Sequence, residues 1–425
     1  MIHLLYSIAG YVGAAAMSPA ILAWLAGSPK QRAGFFQKLG LGLPRPDART
    51  IWFHAVSVGE ALAAVELVKA VAAAAPEFPL VVTTTTPTGQ KVAREKLSAL
   101  ATVCYFPYDL WNSAHGAVRA LNPALLVLVD TELWPNVIHE VVRKGGRVAM
   151  VNARVSDRSF PRYRALSWFW RPVLDDVAVF IPQSRVDGER LVALGADPAR
   201  VDPPGALKFD RAAPEPSAER KQSLRASLGI GPDAPVIFLG SIHDGEQEAI
   251  RAALMARDKI QGARIVIAPR RVEDTGWIER ALEGSGLRAL RKTRMTGADT
   301  GADIVPVVDT FGELFDLYGA ADAAFVGGSL IAHGGQNPLE PAANGVPCLC
   351  GPHMNNFRDA VELLTRAGGA QTVHSAEELA AGFIRILADG RARAAMGAAA
   401  RQAVLDNRGA TARAAERIVR LARGR

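Results

Sequence analysis

At 425 residues the chain is too long for one ordinary hydrophobic core, and its 49% hydrophobic, 21% charged composition excludes a disordered or fibrous protein. Three cysteines, Cys104, Cys348 and Cys350, exclude a disulfide framework and read as core thiols of a reducing compartment. The net charge of +7 favours an anionic partner. No arginine-rich tail, aromatic–basic RNA motif or zinc finger accompanies it, which leaves a membrane surface or a phosphorylated substrate rather than nucleic acid.

Leu4 to Leu25 is almost uncharged, carries Tyr6, Tyr11 and Trp24, and has about the length that crosses a bilayer. Lys30, Arg32, Lys38 and Arg45 follow, and no acidic residue precedes Asp47. This asymmetry predicts a membrane anchor over residues 1–27 with the rest of the chain on the cytoplasmic side. A helix lying in the interface is the alternative to a spanning one. A cleaved signal peptide fits poorly, because no basic stretch precedes the apolar run.

Ile51 to Ala55 reads as the first buried strand, and Ser57-Val58-Gly59-Glu60 as a tight turn into a helix through Ala74. Leu80 to Thr83 is a second strand, followed by the hydroxyl-rich loop Thr84 to Gly89. Ala124 to Val129 is a strand ending at Asp130-Thr131-Glu132-Leu133-Trp134-Pro135, and Val148 to Val151 leads to Asn152-Ala153-Arg154. Gly205 to Asp210 closes this half, and the proline-rich stretch from Arg211 reads as a linker.

A second alternating series follows. Its strands are Val236 to Leu239, Arg264 to Ala268 before Pro269-Arg270-Arg271, Val305 to Val308 before Asp309-Thr310-Phe311-Gly312-Glu313, and Ala323 to Val326 before Gly327-Gly328. Alternating strand and helix signals predict the α/β class, with two doubly wound, Rossmann-like domains facing a cleft. The predicted divisions are 28–210, a linker at 211–222, and 223–425 with closing helices. In such sheets ligands bind beyond the carboxyl ends of the strands.

Two stretches at such ends invite chemistry. In Gly334-Gly335-Gln336-Asn337-Pro338-Leu339-Glu340-Pro341, Asn337 suits a helix N-cap, Pro338 the first helical position and Glu340 the third. A helix start offers unpaired N–H groups to an anion. Glu340 either closes a capping box on Asn337 or accepts hydrogen bonds from a ribose diol. Ser57 and Glu60 have the same spacing and the same ambiguity, a capping box or a carboxylate placed as general base. A third stretch interleaves Arg158, Arg162, Arg164 and Arg171 with Phe160, Tyr163, Trp168, Phe169 and Trp170, which suits a membrane surface and lipid phosphates. On that ground Arg162 and Arg164, with Ser57 and Arg154, are candidate acceptor-binding residues. His243 and His353 read as structural histidines, and Ser241 as a weak phosphate candidate.

The apolar N-terminus, Ser57-Val58-Gly59-Glu60, Thr131-Glu132-Leu133-Trp134-Pro135, Asn152-Ala153-Arg154, Leu207-Lys208-Phe209-Asp210, Ala268-Pro269-Arg270, Phe311-Gly312-Glu313-Leu314 and Asn337-Pro338-Leu339-Glu340 occur in one order. That set resembles the 3-deoxy-D-manno-octulosonic acid (Kdo) transferases of lipid A biosynthesis, which have the GT-B glycosyltransferase architecture. The resemblance implies CMP-Kdo as donor substrate, the lipid A precursor lipid IVA as acceptor, inversion at the anomeric centre, and no metal or cofactor. It also implies a location at the inner membrane. It assigns Glu60 as general base and Lys208 to transition-state charge, and it puts Asp130 where the family usually has glutamate. Pro269, Arg270, Phe311, Gly312, Glu313, Asn337, Pro338, Leu339 and Glu340 become donor-binding residues. Gln37 and Gln336 replace a glutamate and a histidine common in the family. A nucleotide-sugar epimerase or hydrolase on the same scaffold, and a membrane-tethered sugar-nucleotide-binding protein without turnover, are the competing expectations.

Overall fold

The computed structural model describes residues 2–16, 18, 34–203, 205–210, 217–273 and 275–424. They fall into two compact units, one running to Asp210 and resuming at Arg408, the other from Arg211 to Asn407.

The first unit opens with helix α1 (Ile2–Ala16), followed by strands β1 (Thr50–His54), β2 (Leu80–Thr84), β3 (Thr102–Tyr105), β4 (Pro123–Val129), β5 (Arg147–Ala153) and β6 (Val179–Pro182). The helices that matter below are α2 (Val58–Ala74), α3 (Pro135–Arg143), α4 (Phe160–Ala165) and α5 (Ser167–Asp175). The strands pair in parallel in the order β3-β2-β1-β4-β5-β6. Successive side chains of a strand point to opposite faces. Ile51, Phe53, Leu125 and Val127 therefore enter one core with Leu67, Val68 and Val71 of α2. Trp52, Leu126 and Leu128 enter the other with Val137, Ile138 and Val141 of α3. Both faces are covered, which is why β1 and β4 are continuous apolar runs.

The second unit holds β7 (Val236–Ile242), β8 (Arg264–Pro269), β9 (Arg288–Arg291), β10 (Ile304–Val307), β11 (Ala323–Val326), helix α6 (Leu339–Ala343), β12 (Cys348–Cys350) and β13 (Ala370–Thr372). Its parallel order is β13-β12-β11-β7-β8-β10-β9. All three cysteines are buried, and burial pushes the Cys104 and Cys350 thiols up to about 12, so they serve as apolar core groups.

Three expectations need correction. The second unit does not run to the C-terminus. The final helix, α7 (Ala410–Ala422), buries Ala414, Ala415, Ile418, Val419 and Leu421 in the core of the first unit, beside α2 and over β4 and β5. Asp210 caps this arrangement by accepting the N–H groups of Gly409 and Thr411. Secondly, no helix among the described residues is long and apolar enough to cross a membrane. Helix α1 has 15 residues, roughly 22 Å against about 30 Å of hydrocarbon. It lies on the first unit instead. Buried Ser7 donates to Asn136 of α3 (2.8 Å), and the Tyr6 ring is 6.0 Å from Phe169 of α5. The remainder of the predicted anchor lies outside the described residues, apart from Ser18. Thirdly, a helix begins at Ala218, inside the predicted linker, while residues 211–216 lie outside the described residues.

Candidate functional sites at the strand ends

In the first unit the strand order reverses between β1 and β4, so the crevice beyond their carboxyl ends is the place where a ligand fits. Glu60 follows β1. Ser57 is the N-cap of α2, and its hydroxyl accepts the Glu60 N–H at 3.5 Å. The Glu60 carboxylate turns back to accept the Val56 N–H on Oε2 (2.6 Å) and the Ser57 hydroxyl on Oε1 (2.8 Å). The capping arrangement is thus real, and it does not exhaust the side chain. An ionised carboxylate has about four acceptor positions, and two are in use here. Capping fixes the rotamer of a group that keeps lone pairs for a proton.

Asp130 follows β4 with a left-handed backbone (φ 64°), as does Asn152 in β5 (φ 57°). The Asn152 amide donates to the Asp130 carboxylate, while its carbonyl accepts the Leu207 N–H at 3.2 Å. One asparagine therefore links Asp130 to the short 3-10 turn Leu207–Asp210. Lys208 is in that turn, and its side chain lies outside the described residues. The Thr131 hydroxyl donates to the Arg154 carbonyl (2.7 Å) and sits 2.8 Å from its N–H, pinning the ends of β4 and β5 together. Ser57 and Arg154 thus brace the site through a hydroxyl and a backbone.

Glu132 was not among the candidates. Burial, then the negative charges of Glu60 and Asp130, push its carboxyl up to about 7. Three carboxyl groups therefore influence one another at this crevice. The acid-x-acid spacing of Asp130 and Glu132 was the visible signal. Arg162 and Arg164 are exposed on α4. Arg162 lines a pocket of about 370 Å³ with Arg158, Tyr163, Leu166 and Trp170; Arg164 does not. The Tyr163 hydroxyl is held high by burial and by the charge of Glu132, which places the pocket within electrostatic reach of the carboxyl cluster.

In the second unit the order reverses between β7 and β11. The helix start beyond β11 was expected to offer unpaired N–H groups to an anion. In the glycine-rich loop before it, the N–H groups of Gly328, Ser329 and Leu330 are already taken. Glu246 is fully buried, and its carboxylate accepts the N–H groups of His243 (3.0 Å), Gly328 (2.7 Å), Ser329 (3.0 Å) and Leu330 (3.1 Å). Pro338, not Asn337, is the N-cap of α6, because the helix starts one residue late. Asn337 still accepts the Leu339 N–H at 3.1 Å. The helix has only five residues, and Glu340 lies in its first turn. Pro269 ends β8, and the Arg270 N–H donates to the Ile242 carbonyl at 2.8 Å, leaving the Arg270 side chain exposed. Phe311 is 74% exposed, Gly312 has φ 88°, and Glu313 pairs with Lys292 at 2.7 Å. The helix that follows, Leu314–Leu317, has four residues and contributes little dipole. These donor candidates share the carboxyl edge of the second sheet.

His243, read from sequence as structural, stands among charges. Its ring stacks on His333 with centroids 4.6 Å apart, and its Nε2 lies 3.1 Å from the Gln336 amide. Burial holds its pKa down; Glu246 opposes that, while His333, Arg270 and Arg271 reinforce it.

Comparison with known proteins adds an independent line. A family model described as 3-deoxy-D-manno-octulosonic-acid transferase (kdotransferase) matches residues 28–211. A 3-deoxy-D-manno-octulosonic acid transferase from Haemophilus influenzae is 30% identical over 91% of each chain. Its namesake from Bordetella pertussis is 33% identical over 89% of each. Among solved structures, a glycosyltransferase from Rickettsia africae aligns with TM-score 0.58 at 12% identity, covering 88% of this chain and 99% of that one. A UDP-N-acetylglucosamine 2-epimerase aligns with TM-score 0.54 at 11% identity, covering 83% and 91%. These structural likenesses speak to the fold alone: two parallel-sheet α/β domains of the GT-B kind.

Proposed function

The chain belongs to the 3-deoxy-D-manno-octulosonic acid transferase family and is a glycosyltransferase, and from that premise we propose that it transfers Kdo from CMP-Kdo to lipid IVA in lipopolysaccharide biosynthesis. The observation that carries the mechanism is Glu60, held by two donors at the point where the first sheet reverses. In this reading an acceptor hydroxyl attacks the anomeric carbon of Kdo. Its proton passes to the Glu60 carboxylate as the new C–O bond forms, the bond to the phosphate oxygen breaks on the opposite face, and CMP leaves with that electron pair. The outcome is inversion, and the step draws on no metal or cofactor.

Asp130, oriented by Asn152, supports charge near the acceptor, and Lys208 offsets charge as the phosphate departs. Pro269, Arg270, Phe311, Gly312, Glu313 and Asn337 to Glu340 hold the donor. The exposed basic and aromatic surface of α4 and α5 meets the cytoplasmic face of the inner membrane, with Arg162 and Arg164 towards the acceptor's phosphates.

The deciding experiment incubates the full chain with lipid IVA and CMP-Kdo generated in situ, then measures product mass. The expected result is lipid IVA heavier by one or more Kdo residues. Donor turnover without acceptor would instead favour the epimerase or hydrolase reading, and affinity without any product the binding-protein reading.

A further inference from the structure

The glycine-rich loop of the second unit has the shape of an anion site, yet several of its N–H groups are occupied. Three of the four bonds to Glu246 come from Gly328, Ser329 and Leu330, the backbone a phosphate or carboxylate would use. Gly335 and Gln336 give their N–H groups to the Gly328 and Gly327 carbonyls. The helices that start nearby have five and four residues, too few to supply a strong dipole. An anion arriving beside Gly328 to Leu330 therefore needs side chains to meet it.

Those side chains are assembled at the reversal point. His243 follows β7, and Arg270 and Arg271 follow β8, the neighbour of β7. Beyond β11, Gly328 keeps space open beside the imidazole, since a Cβ there would lie 3.3 Å from His243 Nε2. The His333 ring stacks on that imidazole with centroids 4.6 Å apart. Building on the transferase reading, we propose that His243 and His333, with Arg270 and Arg271, form the cradle for the donor's anionic group, and that His243 takes up a proton as the donor binds.

The charge logic is direct. The groups facing His243 are His333, Arg270, Arg271 and Glu246, together with the neutral amide of Gln336. Two of these are fixed cations, and the one anion is already saturated by four N–H bonds. Charging His243 is unfavourable until a second anion enters. Gln336 serves both states, donating its N–H to neutral Nε2 and turning its carbonyl towards a protonated ring. The proton comes from solvent, and no covalent bond changes.

The test is calorimetric titration of the full chain with CMP, with cytidine and with free Kdo, at pH 7.5 in buffers of differing ionisation enthalpy. At that pH the CMP phosphate is already a dianion, its second pKa being about 6. Proton uptake on binding CMP, with none for cytidine, is expected if the cradle takes the phosphate; uptake on binding Kdo is expected if it takes the carboxylate. CMP or Kdo affinity should weaken as pH rises from 7 to 8.5. His243→Asn should abolish the uptake and weaken binding of that ligand about tenfold, the size of one charge-assisted contact. CMP and Kdo bound without proton uptake would overturn the cradle and leave the transferase reading standing. CMP not bound at any pH would remove both. Should the variant fail to fold, the proton count on the unaltered chain still decides.

Discussion

Replacing Glu60 by glutamine separates two roles of one side chain. Glutamine at the third helical position still closes the capping box with Ser57, but it takes no proton. Glu60→Gln should melt within about 0.5 kcal/mol of the parent while transfer to lipid IVA falls about 10²- to 10⁴-fold. Full turnover by this variant would end the general-base assignment. Glu132 carries a different prediction. Its folded pKa lies near 7 against an ordinary 4.5, so the folded chain holds a proton that the unfolded chain has released. The stability this group contributes is complete below pH 4.5 and is lost as pH rises towards 7. Glu132→Gln should therefore melt higher, relative to the parent, at pH 8 than at pH 4.5; an unchanged difference would show that neither burial nor the two carboxyl neighbours raise the pKa of Glu132. At this scale the sequence was informative wherever partners are close along the chain, as with Ser57 and Glu60. It was silent where partners are remote. His243 looked structural because Gln336 and His333 reach it only through the packing of β7 beside β11.

The last helix is the element whose place spacing could not announce. An alanine- and arginine-rich amphipathic stripe says that one face is buried, not which sheet covers it. Ile418 is fully buried in the core of the first unit. Ile418→Ala should cost roughly 2–5 kcal/mol of the stability of that unit alone. Calorimetry should then show the transition of the first unit lowered and that of the second unmoved, and the reverse pattern would place α7 wrongly. Strands show the same division between legible and hidden. The central β1, β4, β7, β8 and β11 each carry an apolar run because both faces are covered. The edge strands β3, β6, β9 and β13 escaped the reading. They have three or four residues each; β3, β9 and β13 are partly exposed, and β6, though buried and apolar, is only four residues long. Helix α1 is a different case. Its apolar composition suits lipid, but Ser7 and Tyr6 spend one face on α3 and α5.

For the molecule as a whole, the proposed lipid acceptor raises the question of how the chain meets a bilayer. The net charge of +7 and the exposed aromatic surface suggest that it does so by lying on the membrane. Trp168 is 65% exposed and Leu166 47%, on the segment that also presents Arg162 and Arg164. Apolar side chains at the interface with cations beside them draw on both acyl burial and anionic headgroups, and only the second is screened by salt. Co-flotation with vesicles should therefore need anionic lipid and should weaken, without vanishing, between 0.05 and about 0.5 M salt. Each basic residue near such a surface is worth about 1 kcal/mol, so Arg162→Glu with Arg164→Glu should weaken vesicle binding at least about 30-fold at low salt. The same double variant should raise the Michaelis constant for lipid IVA and leave that for CMP-Kdo unchanged, because its two positions lie in the first unit while the proposed donor cradle is built in the second. Equal vesicle binding and an unaltered acceptor constant would remove α4 from the acceptor's path and return the search to the N-terminal segment.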